Sequence, residues 1–178
     1  MKSNIQPYLV SLLVILVTPA FAEETKPSQY ISNLMEFELA DRSNFHSFIT
    51  FEMFNKWLKS LGKSPYKLNR YVKPDDPAEV YCGLLNARKM LECGASISSM
   101  YEELTSARLE LIGRDYDEVH WLKEAHSVYS ELICSRSIER DYGDLVNTYR
   151  LYESVACDTR QLKQFNEELE GYHGAMFR

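Results

Sequence analysis

From residue 30 onward the apolar positions recur three and four apart, the period of an α-helix, and no run alternates as a strand does. Ile31, Leu34, Met35, Phe37 and Leu39 predict a short helix within 30–42. Ser43 is placed to cap a second, whose inner side takes Phe45, Phe48, Ile49, Phe54, Trp57, Leu58 and Leu61. Gly62 stands where a helix C-terminal glycine belongs. Residues 63–75, basic and holding two prolines and two tyrosines, read as a linker. Asp76-Pro77-Ala78-Glu79 combines a cap, a proline at the first helical position and an early acid, and starts a helix over 77–93 that Gly94 would end. Ser96 or Ser98 would cap a helix over 97–112, closed by Gly113, and Asp115 or Asp117 would open one over 117–139. After a turn around Gly143 comes a helix over 144–157, where Leu145, Tyr149, Tyr152 and Ala156 step by 4, 3 and 4. The apolar phase then shifts. Asp158-Thr159-Arg160-Gln161 reads as a fresh capping box before a last helix lined by Phe165, Leu169 and Tyr172. Short connections favour antiparallel neighbours. The predicted fold is therefore all-α: an up-down helical bundle over 76–178, preceded by a helical extension and linker over 23–75.

The first 22 residues follow another rule. Lys2 gives a positive start, Tyr8–Val17 is an apolar run interrupted only by Ser11, and Pro19-Ala20-Phe21-Ala22 ends in an A-x-A cleavage pattern. This is the pattern of a secretory signal peptide, and the run is too short to span a membrane. Cleavage after Ala22 would leave no membrane span and place the protein in the periplasm or outside the cell. Removing 22 of the 178 residues leaves 156, one domain able to bury about two thirds of its unfolded surface.

An exported chain with an even cysteine count predicts disulfides. Cys82, Cys93, Cys134 and Cys157 all lie after the cleavage point. They lack the short knuckle spacing of a zinc site and the C-x-x-C of thiol redox chemistry. If 77–93 is one helix, Cys82 and Cys93 stand about 16 Å apart along its axis, at 1.5 Å per residue, and cannot pair. Matching heights in an up-down bundle then predicts Cys82–Cys157 and Cys93–Cys134.

Charge narrows the partners. Loss of Lys2 takes the 20 Lys and Arg to 19 against 26 Asp and Glu, so the net charge of −6 becomes −7. That balance argues against nucleic acid and anionic membrane and suits a basic protein partner. Candidate chemistry is sparse. Asp117, His120 and Glu124 share a helix face but match no metal motif, His126 falls on another face, and His46 and His173 stand alone. Glu102–Glu103 and Glu167–Glu168 are helix neighbours whose side chains diverge, so they read as surface charge. No nucleophile elbow, phosphate loop or cofactor motif appears, and the sequence implies neither catalytic residues nor cofactor nor metal. Tyr66 and Tyr71, rigid aromatics in the basic linker, are the candidate partner-binding residues; the competing reading packs them onto the bundle.

Several residues around the cysteines carry a resemblance. Met90 stands three before Cys93, followed by Ile97-Ser98-x-x-Tyr101-x-x-Leu104. Trp121-Leu122 precedes Cys134, and a basic-then-Glu-Leu helix, Arg160 to Glu168-Leu169, follows Cys157. This stretch resembles the LprI-type lysozyme-inhibitor family of small exported helical proteins with four cysteines; residues 23–75 have no counterpart there. The resemblance implies a non-catalytic binding protein with a lysozyme as partner. A second expectation comes from the N-terminal helices, rich in Phe, Met and Trp: if the helix over 43–61 exposes an apolar stripe, the chain is an accessory subunit of an envelope or secretion assembly. The third, an enzyme on a helical scaffold, needs a polar cleft that sequence alone does not locate.

Overall fold

A computed structural model describes residues 27–113, 118–142 and 148–175. The expected signal peptide, the caps at Asp115 and Asp117 and the turn at Gly143 lie outside them. The protein is all-α. Helices α1 (Gln29–Ala40), α2 (Phe51–Ser60), α3 (Ala78–Gly83), α4 (Ala87–Ile112), α5 (Glu118–Tyr142) and α6 (Thr148–Ala175) follow in order, with a 3-10 turn at Arg42–Asn44 and no strand among the described residues.

The N-terminal helices begin and end for local reasons. The Ser28 hydroxyl accepts from Ile31 N at the start of α1, and the Thr50 hydroxyl accepts from Met53 N at the start of α2. The second helix is thus capped by Thr50 rather than Ser43, and Phe45 to Ile49 precede it as irregular chain. Gly62 closes α2 as expected. At φ 70° it lets Gly62 N bond to Lys59 O at 3.1 Å and Lys63 N to Leu58 O at 2.9 Å, the paired bonds of a Schellman ending. Residues 63–77 carry no helix, and their end is tied back: Phe51 N donates to Asp76 O and Glu52 N to Pro74 O, at 2.8 and 2.9 Å.

The predicted helix over 77–93 is broken, and the breaks expected at Gly94 and Asp158 are absent. Leu84 N bonds to Tyr81 O and Leu85 N to Cys82 O, both at 3.1 Å, which turns the chain out of α3; Asn86 Oδ1, accepting from Lys89 N, then caps a new helix. α4 runs on through Gly94. A Cβ there would lie at ordinary van der Waals distance, 3.4 Å from Val155 Cγ1 and 3.5 Å from Tyr152 Cε2, so α6 packs directly over the glycine and the helix continues past it. Ser96 is consequently not a cap; its hydroxyl donates to Glu92 O within the helix.

This break overturns the predicted disulfides. Cys82 is bonded to Cys93 and Cys134 to Cys157, with Cα separations of 5.5 and 5.7 Å. The turn at 84–86 folds α3 back against the first turns of α4, so two cysteines eleven apart in sequence meet without sharing a helix. Neither Cys82–Cys157 nor Cys93–Cys134 forms.

Three long helices make the bundle. Gly94 lies against Tyr152 and Val155, and Thr105 and Arg108 bond to Asn166, so α4 and α6 run parallel. Cys134 is bonded to Cys157 while His126 bonds to Gln161 O, so α5 runs antiparallel to α6. The larger core joins α1, α2, α3 and α4 through Ile31, Leu34, Phe54, Trp57, Tyr81, Ile97, Met100 and Leu104; a smaller one joins Leu109, Ile112, Val119, Phe165 and Leu169.

Candidate functional site

The most ordered polar constellation is internal. Arg108 occupies a core position of α4, in series with Ile97, Tyr101, Leu104 and Ile112, and is fully buried. Its Nε donates to Glu38 Oε2 at 3.0 Å and its Nη2 to Glu38 Oε1. Nη2 also donates to the His46 carbonyl at 2.7 Å, and Nη1 to Asn166 Oδ1 at 2.7 Å. Asn166 Nδ2 in turn donates to the Thr105 hydroxyl, and the guanidinium lies 4.0 Å from the centre of the Phe45 ring. One side chain thereby joins α1, the 45–49 segment, α4 and α6. All three guanidinium nitrogens donate to protein acceptors, so the cluster is a structural tie. A related role falls to Glu103, expected at the surface: it accepts from Trp57 Nε1 at 2.7 Å and from the Ser28 backbone N–H. His46 serves through its carbonyl, and His173 is buried with its ring 5.0 Å from that of Phe45.

The two linker tyrosines part company. Tyr66 turns inward, 5.9 Å from the Phe54 ring and 5.3 Å from the Tyr81 ring, with its backbone held by both amide atoms of Asn55. Burial raises its phenol pKa, with Glu92 and Tyr81 adding to the effect. Tyr71 stands out from the surface, 64 % exposed, with the Arg70 guanidinium over its ring.

The apolar stripe expected on the helix over 43–61 is not exposed. Phe51, Met53, Phe54, Trp57 and Leu58 are all buried. The exposed stripe is on α5 instead. Its inner side, Val119, Leu122, His126 and Cys134, meets α6 and the smaller core. Its outer side presents Trp121, Ala125, Val128 and Leu132 at steps of 4, 3 and 4, with Tyr129 beside them. Trp121 is 73 % exposed, and Val128, Tyr129 and Leu132 are each more than half exposed. A tryptophan left in water at the head of an apolar row is unusual for a surface that meets only solvent.

Acids edge this row. Glu124 is one turn from both Trp121 and Val128, and Glu131 one turn from Val128; both are exposed. Lys123 is exposed on the same helix. On the α6 side, Leu122, Ala125, His126 and Tyr129 share a cleft of about 220 Å³ with Gln161, Gln164 and Glu168. His126 stacks on Phe165 with ring centres 4.4 Å apart, and its Nε2 donates to the Gln161 carbonyl at 2.8 Å, which fixes the proton on that nitrogen.

Comparison with protein-family models, with curated proteins and with solved structures found no match to this chain. Its own geometry carries the functional reading. Among the described residues no three His, Cys, Asp or Glu side chains converge as metal ligands; Asp117 and the His120 side chain lie outside that description. No described helix is long and apolar enough to cross a membrane. The two disulfides fit a protein of the periplasm or the exterior.

Proposed function

We propose that this chain is an exported, non-catalytic binding protein whose partner is a basic protein docked on the outer face of α5. One observation carries the reading: Trp121, Val128, Tyr129 and Leu132 form an exposed apolar row on a helix whose opposite side is already packed. Large aromatics ringed by polar groups are the usual anchors of protein interfaces. The choice of a basic partner rests on charge: Glu124, Glu131 and Glu168 edge the row, and the secreted chain would carry −7. A lysozyme is the partner that the resemblance of the Cys82-onward stretch implies. Purified mature protein in excess should slow cell-wall lysis by a basic lysozyme, and undiminished lysis would remove that partner.

The second reading, an accessory subunit of an envelope or secretion assembly, is favoured by the same exposed Trp121. An envelope fraction passed over wild-type and Trp121→Glu baits tests it. A complex subunit held by the first bait and lost from the second supports that reading; one held equally by both counts against it.

A further inference from the structure

The acidic balance of the chain reverses locally over residues 59–73. Lys59, Lys63, Lys67, Arg70 and Lys73 fall there with no Asp or Glu among them, and all five are exposed. Of the nearest acids in sequence, Glu52 is paired with Lys56 at 2.8 Å, Asp76 accepts from Lys73 N at 2.7 Å, and Asp75 is exposed. No ion pair among the described residues claims any of the five cations. Apolar side chains are interleaved with them: Leu61, Leu68 and Tyr71 are exposed, the last two by more than half. The Arg70 guanidinium lies 4.7 Å from the centre of the Tyr71 ring, so a cation and an aromatic are presented together. The segment is fixed from behind. Asn55 holds the Tyr66 backbone, the Tyr66 ring packs beside Phe54 and Tyr81, and Val72 is buried. Asn69 Oδ1 accepts from Tyr71 N at 2.8 Å, and Phe51 N and Glu52 N hold the far end. The backbone is therefore ordered before any partner arrives, which lowers the cost of binding.

Unpaired cations alternating with an exposed leucine and tyrosine match a boundary where anionic phosphates lie a few ångströms from hydrocarbon. We infer that residues 59–73 dock the protein on an anionic phospholipid surface. Leu68 and Tyr71 enter the headgroup layer, and the five cations meet lipid phosphates. Net charge opposes such a partner only at long range. At physiological ionic strength, exposed charges farther apart than about 8 Å are largely screened, so the local excess of cations decides the contact. Nucleic acid fits less well: Arg70 already takes one face of the Tyr71 ring, and a phosphate backbone gives Leu61 and Leu68 nothing to bury against. The segment is distinct from the α5 face, so this inference stands apart from the proposed protein partner.

The test is sedimentation of the mature, disulfide-intact protein with vesicles of phosphatidylcholine alone and of phosphatidylcholine mixed with phosphatidylglycerol. The protein should pellet with the mixed vesicles and stay in solution with the neutral ones, and added salt should release it. Lys67→Glu with Arg70→Glu, and separately Leu68→Ser with Tyr71→Ala, should each weaken the partition at least tenfold. Lys123→Glu, a charge reversal on α5, should leave it unchanged. All four linker positions are exposed, and an unchanged Tm shows that each variant keeps its fold. Failure to pellet with the mixed vesicles at low salt would overturn the inference. So would pelleting that the linker variants leave intact, or equal pelleting with neutral vesicles. Capture of soluble polyglutamate with no vesicle binding would assign the segment to an acidic protein and overturn it as well.

Discussion

Arg108 shows how a single residue decides the relation between the N-terminal helices and the bundle. A guanidinium removed from water is tolerable only when its donors are answered, and here Glu38, the His46 carbonyl and Asn166 answer them. Removing one partner is costlier than the pair is stabilising. Glu38→Ala, which leaves the cation buried, is expected to cost about 3–5 kcal/mol in urea unfolding, whereas Glu38→Met with Arg108→Leu should cost far less. Asp158 behaves differently. It sits half-buried within α6, and burial raises its pKa. The native state therefore favours the protonated acid. That contribution is present at low pH and is lost as pH rises through the raised pKa, so at neutral pH the charged group is a burden. Asp158→Asn should raise Tm at pH 7, and the gain should disappear below the ordinary carboxylate pKa of about 3.9. The internal tie was legible in outline. Ile31, Leu34 and Glu38 share the inner stripe of α1, as Leu104, Arg108 and Ile112 share that of α4. An acid and a base, each at a core position of its own helix, are a signal that a buried pair exists. What the pattern lacks is a reason to join these two helices, which only the packing supplies.

At the scale of elements, helix existence was readable and helix boundaries were not. Glycine and a capping pattern each suggest a stop, yet α4 passes through Gly94 and α6 through Asp158. Tertiary packing overrides both: α6 lies directly over Gly94, and burial along the α4–α6 contact outweighs the local stop signals. Gly94→Val should force Tyr152 and Val155 away and cost about 1–3 kcal/mol by overpacking, with the loss confined to the α4–α6 contact in hydrogen exchange. The opposite holds at residues 84–86, where Gly83 and the cap Asn86 are the only marks of the turn between α3 and α4 and sit inside an otherwise helical pattern. That one missed turn propagated into the disulfides, since an unbroken helix would have kept Cys82 and Cys93 apart. The cysteine connectivity can be checked chemically. Lys or Arg residues separate all four cysteines, so tryptic peptides of the unreduced protein should link Cys82 to Cys93 and Cys134 to Cys157. A peptide joining Cys82 to Cys157 would require a different course for α3. Each bond closes a local loop and is expected to contribute about 2–4 kcal/mol.

For the molecule as a whole, the exposed row on α5 was hidden from sequence reading for a simple reason. Apolar residues lie on both sides of this helix, Val119 and Leu122 inward and Trp121, Val128 and Leu132 outward, so its periodicity is blurred. The helix over 43–61 draws the docking expectation because the N-terminal helices are rich in Phe, Met and Trp; in α2 those apolar residues are segregated to one side and buried, the mark of a helix already packed. Acidic charge and an apolar row would together give the proposed partner two distinct handles: long-range attraction that speeds encounter and fades with salt, and short-range burial that sets the lifetime of the complex. The linker adds Tyr71 as a further exposed aromatic, while Tyr66 packs against the core.

The central claim, that the outer face of α5 is the binding surface, is most directly tested by measuring the affinity of the mature protein for a basic lysozyme, with Trp121→Glu and Tyr71→Ala alongside the wild type. The account predicts a complex that Trp121→Glu weakens at least tenfold, equivalent to about 1.4 kcal/mol, through faster dissociation, and whose association slows as salt is raised. Tyr71→Ala reports whether the linker takes part. A complex of unchanged affinity in Trp121→Glu, or no complex with the wild type at any salt concentration, would contradict it.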